Sequence, residues 1–466
     1  MRKLIIGATL VALVGSLVGC KIVVTPTASQ GWFFLNEGSN GSGYYVNGPG
    51  TPPAGRGSAL LTVDATGREN IATSVYQGLA LSSLTQLSYA TYQAFSGSPQ
   101  ETPSLEFDVD YDSTDSDTSY QGRLVYVPSA GSTVVPNTWQ TWDTQSGNAA
   151  WYSSASDGSS LRPIVGGVMQ ANPPCTQASF CTWQTVKNDY PNARIRPTVN
   201  NAPGLLLVRA GGPITGGFVG ATDNVVVGVN GTPIENNFEP GDGNVAVTSS
   251  SAAGLGFAFA NETPNGSGSF VSGPNGADGS GSAQLTIDAT GGEALVNGLF
   301  AGTRLDHLRF LSYKTYEKDP TPNATTLQLD ADYDSTDGST AFQGRAVFEP
   351  SLSGQAPVTN GIWQTWNPLT APSGWWQTGN AIVGGTNVGK QCTEALPCSF
   401  TQLLSNYPNA SIRPITQQSN GQPVAGGMWL KAGGGWSPGF TGNVDSLTLA
   451  VDVGGVNGTV TYDLGG

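Results

Sequence analysis

The chain has 466 residues, with 33 acidic against 19 basic side chains and a formal net charge of −14. Phosphate binding requires clusters of Lys and Arg, which this acidic chain lacks, so we expect no nucleic acid partner. The 64 glycines and 30 prolines indicate many turns, and apolar residues recur between them at strand spacing. The composition predicts a folded, all-β protein.

The first twenty residues resemble the signal of a bacterial lipoprotein. Two basic residues precede an apolar run, and the motif LVGC closes that run at Cys20. The run is too short to span a bilayer, and small residues precede the cysteine, as cleavage requires. The resemblance implies removal of a signal peptide at 1–19 and acylation of Cys20, with 20–30 as a tether. We therefore expect an exported protein of the cell envelope, held to membrane lipid by its acylated cysteine.

The remainder of the chain is an internal duplication. WQTW occurs at Trp139 and again at Trp363, and similar pairs of motifs run along the full length of both copies. A period this long indicates tandem domains, because solenoid repeats are much shorter. We predict a first domain at 31–240, a Gly/Ser-rich linker at 241–253 and a second domain at 254–466.

Alternating residues predict strands within each copy. In SLEFDVDYD, Leu105, Phe107 and Val109 would face one side of a strand and the acidic residues the other. Glycine and proline clusters separate such runs, so each domain is predicted to be a β-sandwich with a jelly-roll-like arrangement. One short helix per domain is also expected, capped by Thr182 in the first copy and by Ser399 in the second.

Four cysteines besides Cys20 lie in two short motifs of identical spacing, CTQASFC and CTEALPC. An oxidising compartment favours disulfides, and of the three pairings open to four cysteines the repeated spacing favours the local ones. Zinc is not expected, because the only histidine, His307, has no counterpart in the other copy. The predicted disulfides are Cys175 with Cys181 and Cys392 with Cys398.

Several motifs together resemble a β-sandwich module of exported bacterial surface proteins. They are GSALLTVDATG, FDVDYD with YQGRLVYVP, WQTW, the cysteine loop, YPNA and GNVDSLTLAV. The resemblance covers nearly all of both copies and implies a fold and a compartment, without an established catalytic activity. The copies differ where the first has Val127 and the second Glu349, so a site that needs Glu349 can exist only in the second domain.

An enzyme of the glycosidase type is an alternative, because glycoside hydrolysis needs only two carboxylates. Glu37 with Glu69 recurs as Glu262 with Glu293. All four lie beside turn-forming residues, where a solvent-exposed role is commoner, so we expect no catalysis. A triad shared by both copies is also excluded, because His307 aligns near a serine.

Tryptophans provide candidate positions for stacking on a sugar ring. Trp142, Trp366 and Trp375 are the candidates, and each lies in a pair of nearby tryptophans or in a repeated motif. The competing interpretation is that they pack in the core, which is the commoner position for large aromatic side chains.

The motif DVDYDSTD, repeated as DADYDSTD, concentrates aspartates on one face of a strand. A weak structural Ca²⁺ site in each domain would relieve their repulsion, and no other cofactor is expected. The competing explanation is that Arg123 or Arg345 lies across from the aspartates as a cross-strand ion pair. The candidate calcium ligands are Asp110, Asp112 and Asp115, and in the second copy Asp332, Asp334 and Asp337.

Together these features predict a lipid-anchored envelope protein with two non-catalytic β-sandwich domains for surface binding or envelope structure. A carbohydrate-active enzyme and a carbohydrate-binding module are the alternatives. The expected partners, besides membrane lipid, are an envelope glycan or a surface protein.

Overall fold

The computed structural model describes residues 20–465, apart from 38–40, 155–161, 201, 213, 215–216, 242, 253–254, 264, 280, 319–321, 340, 414–417, 420–421, 424–426, 434–435, 437–438 and 452–458. The signal peptide predicted at 1–19 lies outside the described residues. No helix in the described part of the chain has both the length and the apolar character needed to cross a bilayer.

The described chain forms two compact units. The first comprises the residues up to Tyr45 together with Ser58–Glu239, and the second comprises Val46–Gly57 together with the residues from Pro240 onward. The segment Val46–Gly57 thus belongs to the second unit, although it lies within the range predicted for the first domain.

The first unit is almost entirely β-structure. It contains two helices, α1 (Pro128–Gly131) and α2 (Trp183–Asp189), and a 3-10 turn at Leu81–Ser83. Its strands are β1 (Cys20–Val24), β2 (Trp32–Asn36), β3 (Gly41–Asn47), β4 (Gly57–Val63), β5 (Arg68–Thr73), β6 (Leu84–Ser96), β7 (Ser104–Asp110), β8 (Arg123–Tyr126), β9 (Trp139–Asp143), β10 (Trp151–Ser153), β11 (Ile164–Val165), β12 (Val168–Met169), β13 (Arg194–Ile195), β14 (Leu206–Gly211), β15 (Phe218–Val229) and β16 (Thr232–Phe238).

Fourteen of these strands form two seven-stranded sheets that pack face to face, and β11 and β12 form a separate two-stranded hairpin. In one sheet β9, β6 and β15 are neighbours, β4 and β16 both pair with β15, and β3 and β1 complete the edges. The other has the order β10-β8-β7-β14-β5-β2, with β13 paired to β7. Leu87 and Val227 from the first sheet share one core with Leu105 and Phe107 from the second. The alternation of apolar residues predicted this burial.

The second unit repeats the arrangement. Its helix is α3 (Phe400–Asn406), and 3-10 turns lie at Leu305–His307 and Pro350–Leu352. Its strands are β17 (Gly243–Val247), β18 (Phe257–Thr263), β19 (Gly266–Val271), β20 (Ser282–Asp288), β21 (Gly292–Asn297), β22 (Leu308–Glu317), β23 (Thr326–Asp332), β24 (Arg345–Phe348), β25 (Trp363–Trp366), β26 (Trp375–Gln377), β27 (Ala381–Val383), β28 (Thr386–Gly389), β29 (Ser411–Ile412), β30 (Gln418–Ser419), β31 (Gln422–Pro423), β32 (Met428–Gly433), β33 (Gly439–Val451) and β34 (Thr459–Leu464).

The two main sheets of this unit correspond to those of the first. One has β25, β22 and β33 as neighbours, with β20, β19, β34 and β17 on the far side of β33. The other has the order β18-β21-β32-β23-β24-β26, with β29 paired to β23. Leu285 on β20 packs with Ala432 on β32, which joins the two sheets in one core. The all-β, tandem β-sandwich prediction is confirmed.

Each unit begins with a strand that runs parallel to its neighbour. β1 pairs with β16 in the first unit, and β17 pairs with β34 in the second. Val24 at the end of β1 is fully buried, so its side chain fixes the strand to the core. The prediction of a tether at 20–30 and of a linker at 241–253 is wrong to this extent, because both ranges contain paired strands.

The predicted short helices are both present and capped as expected. The Thr182 hydroxyl accepts a hydrogen bond from the Thr185 amide at the start of α2. Ser399 forms a complete capping box with Gln402 at the start of α3. The first unit has the four-residue helix α1 in addition.

Candidate binding grooves

A groove lies on the outward face of the β10-β8-β7-β14 region in the first unit. Its volume is about 430 Å³, and we call it groove 1. The lining side chains that matter below are Glu106, Tyr120, Arg123, Val125, Tyr152 and Arg209.

The second unit has a groove on the same part of its fold. Its volume is about 570 Å³, and we call it groove 2. The corresponding lining side chains are Gln328, Phe342, Arg345, Val347, Trp376 and Lys431.

Strand register explains why the two grooves coincide. Val125 lies opposite Glu106 on one side and Tyr152 on the other. Val347 likewise lies between Gln328 and Trp376. Residues that face each other across neighbouring strands point to the same side of a sheet. The duplication therefore places an aromatic side chain, a valine and a polar side chain in one row in each unit.

A buried arginine organises the polar side of groove 1. The Arg123 Nε donates to Asp108 Oδ1 at 2.9 Å, and its Nη1 donates to Glu37 Oε2 at 2.8 Å and to Glu106 Oε2 at 3.2 Å. Arg209 Nη1 lies 3.1 Å from Glu37 Oε2. Burial alone would raise the pKa of Glu37, but Arg123 and Arg209 outweigh it and hold that pKa below its usual range.

Groove 2 also contains a central arginine, Arg345, with its own acidic partners. The Arg345 Nε donates to Asp330 Oδ1 at 2.6 Å, and its Nη2 donates to Glu262 Oε1 at 2.5 Å. Lys431 forms an ion pair with the other oxygen of Glu262. Burial would raise the pKa of Glu262, yet Arg345 and Lys431 lower it. The Arg345 guanidinium also lies 4.0 Å from the ring centroid of Trp429.

The predicted cross-strand pairing of aspartate with arginine is confirmed. Asp108 lies directly opposite Arg123, and Asp330 directly opposite Arg345. The polar face of this strand is nevertheless not wet, because Asp108 and Asp110 are both buried. Burial raises the pKa of Asp108 despite the neighbouring Arg123.

The calcium prediction for Asp110, Asp112 and Asp115 is not supported. Asp110 is paired with Arg194, whose Nε donates to Asp110 Oδ2 at 2.8 Å. The other two carboxylates accept backbone N–H groups from a hairpin turn, Asp112 from Gly166 at 2.9 Å and Asp115 from Gly167 at 2.8 Å. Their oxygens are therefore occupied by the protein itself.

The second copy behaves in the same way, so a calcium site at Asp332, Asp334 and Asp337 is not supported either. Asp332 accepts from the Asp334 amide at 3.2 Å. Asp334 and Asp337 accept from Gly384 and Gly385 at 3.0 and 3.2 Å. In the described part of the chain, the only three potential metal ligands within 4.8 Å of one another are Cys175, Cys181 and Asp189, and those cysteines form a disulfide.

The tryptophans predicted to stack on a sugar are buried, and that prediction is wrong for all three. Trp142 is 5% exposed, Trp366 1% and Trp375 0%. Each indole N–H is also satisfied inside its unit: Trp142 and Trp366 donate to threonine hydroxyls, and Trp375 donates to the Pro368 carbonyl. They are core residues without a free face.

The glutamates of the enzyme alternative do not meet. Glu37 contacts the groove arginines, whereas Glu69 shares its face of β5 with the core residue Ile71 and is 2% exposed. Burial raises the pKa of Glu69 to about 7. In the second unit burial likewise raises the pKa of Glu293. The two members of each pair thus lie on opposite faces of one sheet, which excludes them as the two carboxylates of a glycosidase.

Both predicted disulfides are present. The Cα atoms of Cys175 and Cys181 are 5.3 Å apart, and those of Cys392 and Cys398 are 5.5 Å apart. Each lies directly before a helix, α2 or α3, and so fixes the entry of the chain into that helix. Cys20 is a half-buried free cysteine at the start of β1.

The sequence did not identify the groove residues Tyr152, Arg209 and Lys431, and of the adjacent pair Trp375 and Trp376 the wrong member was chosen as the exposed one. The signal for Trp376 was its neighbour Trp375, because consecutive strand residues face opposite sides and one tryptophan of a WW pair must point outward. The sequence feature that could have identified Arg209 and Lys431 is their position in VRAGG and LKAGG, a repeated motif in the last strand before FxGxxD.

No protein-family model and no curated protein match the chain. One solved structure with some similarity is the N-terminal CBM22-1-CBM22-2 tandem domain from Paenibacillus barcinonensis Xyn10C. The TM-score is 0.23 and the identity 9%, over 91% of this chain and 94% of that chain. A TM-score of this size supports no conclusion about function.

Proposed function

We propose that this is a lipid-anchored, non-catalytic protein of the cell envelope that binds glycans in grooves 1 and 2. The observation that carries the proposal is the recurrence of one groove at one register position in both units. In each, a half-buried aromatic side chain, Tyr152 or Trp376, lies beside polar groups held by ion pairs.

This combination suits a sugar. The C–H face of a pyranose ring can pack on an aromatic ring, which offers a large apolar surface at a small cost in conformational entropy. A few fixed polar groups then orient the hydroxyls, as in other concave ligand sites. Groove 2 adds Trp436 and the 59% exposed Phe342 to Trp376, which lengthens its aromatic lining.

The lowered pKa values of Glu37 and Glu262 argue against these two residues as the acid of a glycosidase. A glycosidase needs a carboxylic acid with a raised pKa to protonate the leaving group. Glu37 and Glu262 have the opposite property, since their arginine and lysine partners lower the pKa.

Affinity electrophoresis and calorimetry against cell-wall and exopolysaccharide glycans test the proposal. Trp376→Ala should weaken binding of a recognised glycan by about tenfold or more, because one stacked ring contributes roughly 1–2 kcal/mol. Phe310→Ala removes an aromatic side chain that is 41% exposed and outside the groove lining, and should leave affinity unchanged. Equal affinity of the wild type, Tyr152→Ala and Trp376→Ala for every bound glycan would overturn the proposal.

A further inference from the structure

The two grooves share a frame but differ in the side chains that line it. Both grooves contain an arginine at the same position, Arg123 or Arg345, but other lining positions differ in charge and in aromatic content. From the first unit to the second, the changes are Tyr120 to Phe342, Val127 to Glu349, Tyr152 to Trp376, Gln177 to Glu394, Arg209 to Lys431 and Ile214 to Trp436.

These changes reverse the balance of charge along the lining. Groove 1 is lined by three arginines, Arg68, Arg123 and Arg209, against two glutamates, Glu101 and Glu106. Groove 2 is lined by two cations against three glutamates, which are Arg345 and Lys431 against Glu262, Glu349 and Glu394. The duplicated sites therefore present different chemistry to a ligand.

The cations of groove 2 are already neutralised by the protein. Glu262 pairs with both Arg345 and Lys431, one oxygen to each, and Arg345 pairs with Asp330 as well. Neither cation is available to attract an anionic ligand. Uronic acids and sulfated sugars are accordingly poor candidates for this groove.

Glu349 is ionically unpaired among the described residues. Its Oε1 accepts the Ser351 hydroxyl at 3.0 Å and its Oε2 accepts the Trp376 indole N–H at 3.2 Å. Both donors are neutral, so the negative charge remains uncompensated. A carboxylate that is fixed by an indole N–H and a hydroxyl and lacks an ionic partner is an arrangement that recognises a cation through a charge-assisted hydrogen bond.

We infer that groove 2 selects glycans with free, protonated amino groups, such as oligosaccharides of de-N-acetylated hexosamine. This inference rests on the proposed glycan-binding function and names the substrate class of its second site. The ring of an amino sugar packs on Trp376, and its ammonium group donates to Glu349. Groove 1 has Val127 at the position of Glu349 and lacks this contact.

Calorimetry with the chain from residue 20 onward, carrying Cys20→Ser, tests the inference with two matched probes. They are the hexamer of glucosamine and the hexamer of N-acetylglucosamine, which differ only in the free amine. The wild-type groove should bind the glucosamine hexamer about tenfold more tightly. Glu349→Gln should abolish that preference, so that the two hexamers bind the variant with equal affinity.

Glu235→Gln is the matched control, because it removes one exposed carboxylate that is remote in sequence from the groove lining. It should retain the full preference, which separates recognition by Glu349 from general attraction of a cation to an acidic protein. Melting curves of each variant establish that it is folded.

The outcomes distinguish the inference from the proposed function. Absence of a preference in the wild type, or a preference retained in Glu349→Gln, overturns the inference. If Trp376→Ala still loses affinity for either hexamer or for another glycan, glycan binding stands. If neither hexamer nor any glycan responds to Trp376→Ala or Tyr152→Ala, both are overturned.

Discussion

Arg123 and Arg345 each contact three acidic or amide side chains, two on the adjacent strand and one glutamate near the opposite edge of the same sheet. They illustrate how a single residue can set the chemistry of a sheet face. Burial by itself would lower the pKa of Arg123, but Glu37, Glu106 and Asp108 raise it, so the guanidinium stays charged. Its planar fork reaches partners in several directions, which a lysine ammonium on a flexible stem cannot reproduce. The arginine thereby helps to keep Glu37 ionised.

Glu69 gives a pH dependence whose sign follows from its burial. Its pKa rises from 4.5 to about 7 on folding, so the folded state binds the proton more tightly than the unfolded state. Stability from this group is therefore fully present below pH 4.5, is lost as pH rises towards 7, and does not recover above it.

Glu69→Gln should remove the loss of folding stability that the wild type shows as the pH rises. We expect the variant to be more stable than the wild type at pH 8 by roughly 1–3 kcal/mol, and to differ little at pH 4. Denaturant unfolding of the first unit at both pH values measures the effect, with Glu235→Gln as the exposed control. Stability curves that run parallel in wild type and variant would show that Glu69 does not titrate in this range.

Trp375 and Trp376 show what the sequence alone could and could not decide at the level of a residue. Alternation requires that one of them faces the core, but it does not say which. That choice depends on how the strand pairs with its neighbour β24. In the fold, Trp375 lies opposite Phe348, and its ring centroid is 5.4 Å from that of Phe400. Trp376 lies opposite Val347 and lines groove 2. Only the register, a tertiary property, resolves the choice.

At the scale of elements, the acidic motif after β23 holds the hairpin formed by β27 and β28. The turn glycines Gly384 and Gly385 have φ of 55° and 74°, a left-handed conformation that favours glycine. Their amides donate to Asp334 and Asp337. The same device joins Asp112 and Asp115 to the β11–β12 hairpin in the first unit.

Replacing Asp334 and Asp337 by alanine should release this hairpin without unfolding the sandwich. Amide exchange at Gly384 and Gly385 should accelerate by about tenfold, because each loses an acceptor that contributes roughly 1 kcal/mol or more. Mass-spectrometric hydrogen exchange resolves the segment, and Asp306→Ala, which removes a half-buried aspartate outside the motif, is the control. Unchanged exchange at the two glycines would show that the aspartates do not hold the turn.

Local signals predicted the duplication, the helices and the disulfides, because each is encoded within a few residues of sequence. Thr182 caps α2 and Cys175 closes a loop directly before it, so neither needs knowledge of distant strands. The strands β1 and β17 could not be recognised, since a five-residue segment gains its structure from parallel pairing with β16 or β34, far along the chain. The grooves could not be predicted for the same reason, because the residues of each come from four separate strands.

At the scale of the molecule, the proposed anchor adjoins a structured strand. Cys20 is the first residue of β1 and lies opposite Ile234 of β16. Acyl chains on Cys20 would therefore hold the first unit close to the membrane surface without an intervening flexible tether.

Cys20→Ser should release the protein from the membrane fraction, since two or more acyl chains provide stable anchoring and the variant has none. Fractionation followed by a high-salt wash measures this, and Cys175→Ser with Cys181→Ser serves as a control that removes cysteines without touching the anchor. Retention of Cys20→Ser on washed membranes would contradict lipidation as the means of attachment.

The second unit should depend on a segment that lies far from it in sequence. Within that unit, the Gly50 amide donates to the Ala301 carbonyl at 3.1 Å, and Arg56 donates to the Gly241 carbonyl at 2.8 Å. Arg56 also donates to Asn47 at 2.6 Å. A fragment covering 240–466 retains the sheets of the unit but lacks the segment Val46–Gly57.

We expect that fragment to melt at a lower temperature than the same fragment supplied with a peptide of residues 46–57, by roughly 2–4 °C for each kcal/mol contributed. The same peptide with Arg56→Ala should stabilise less, because it loses the hydrogen bonds to Gly241 and Asn47. Differential scanning calorimetry at rising peptide concentration measures both. A melting temperature that no peptide raises would mean that residues 240–466 are complete as a folding unit, in which case a contiguous boundary near residue 240 describes the duplication correctly.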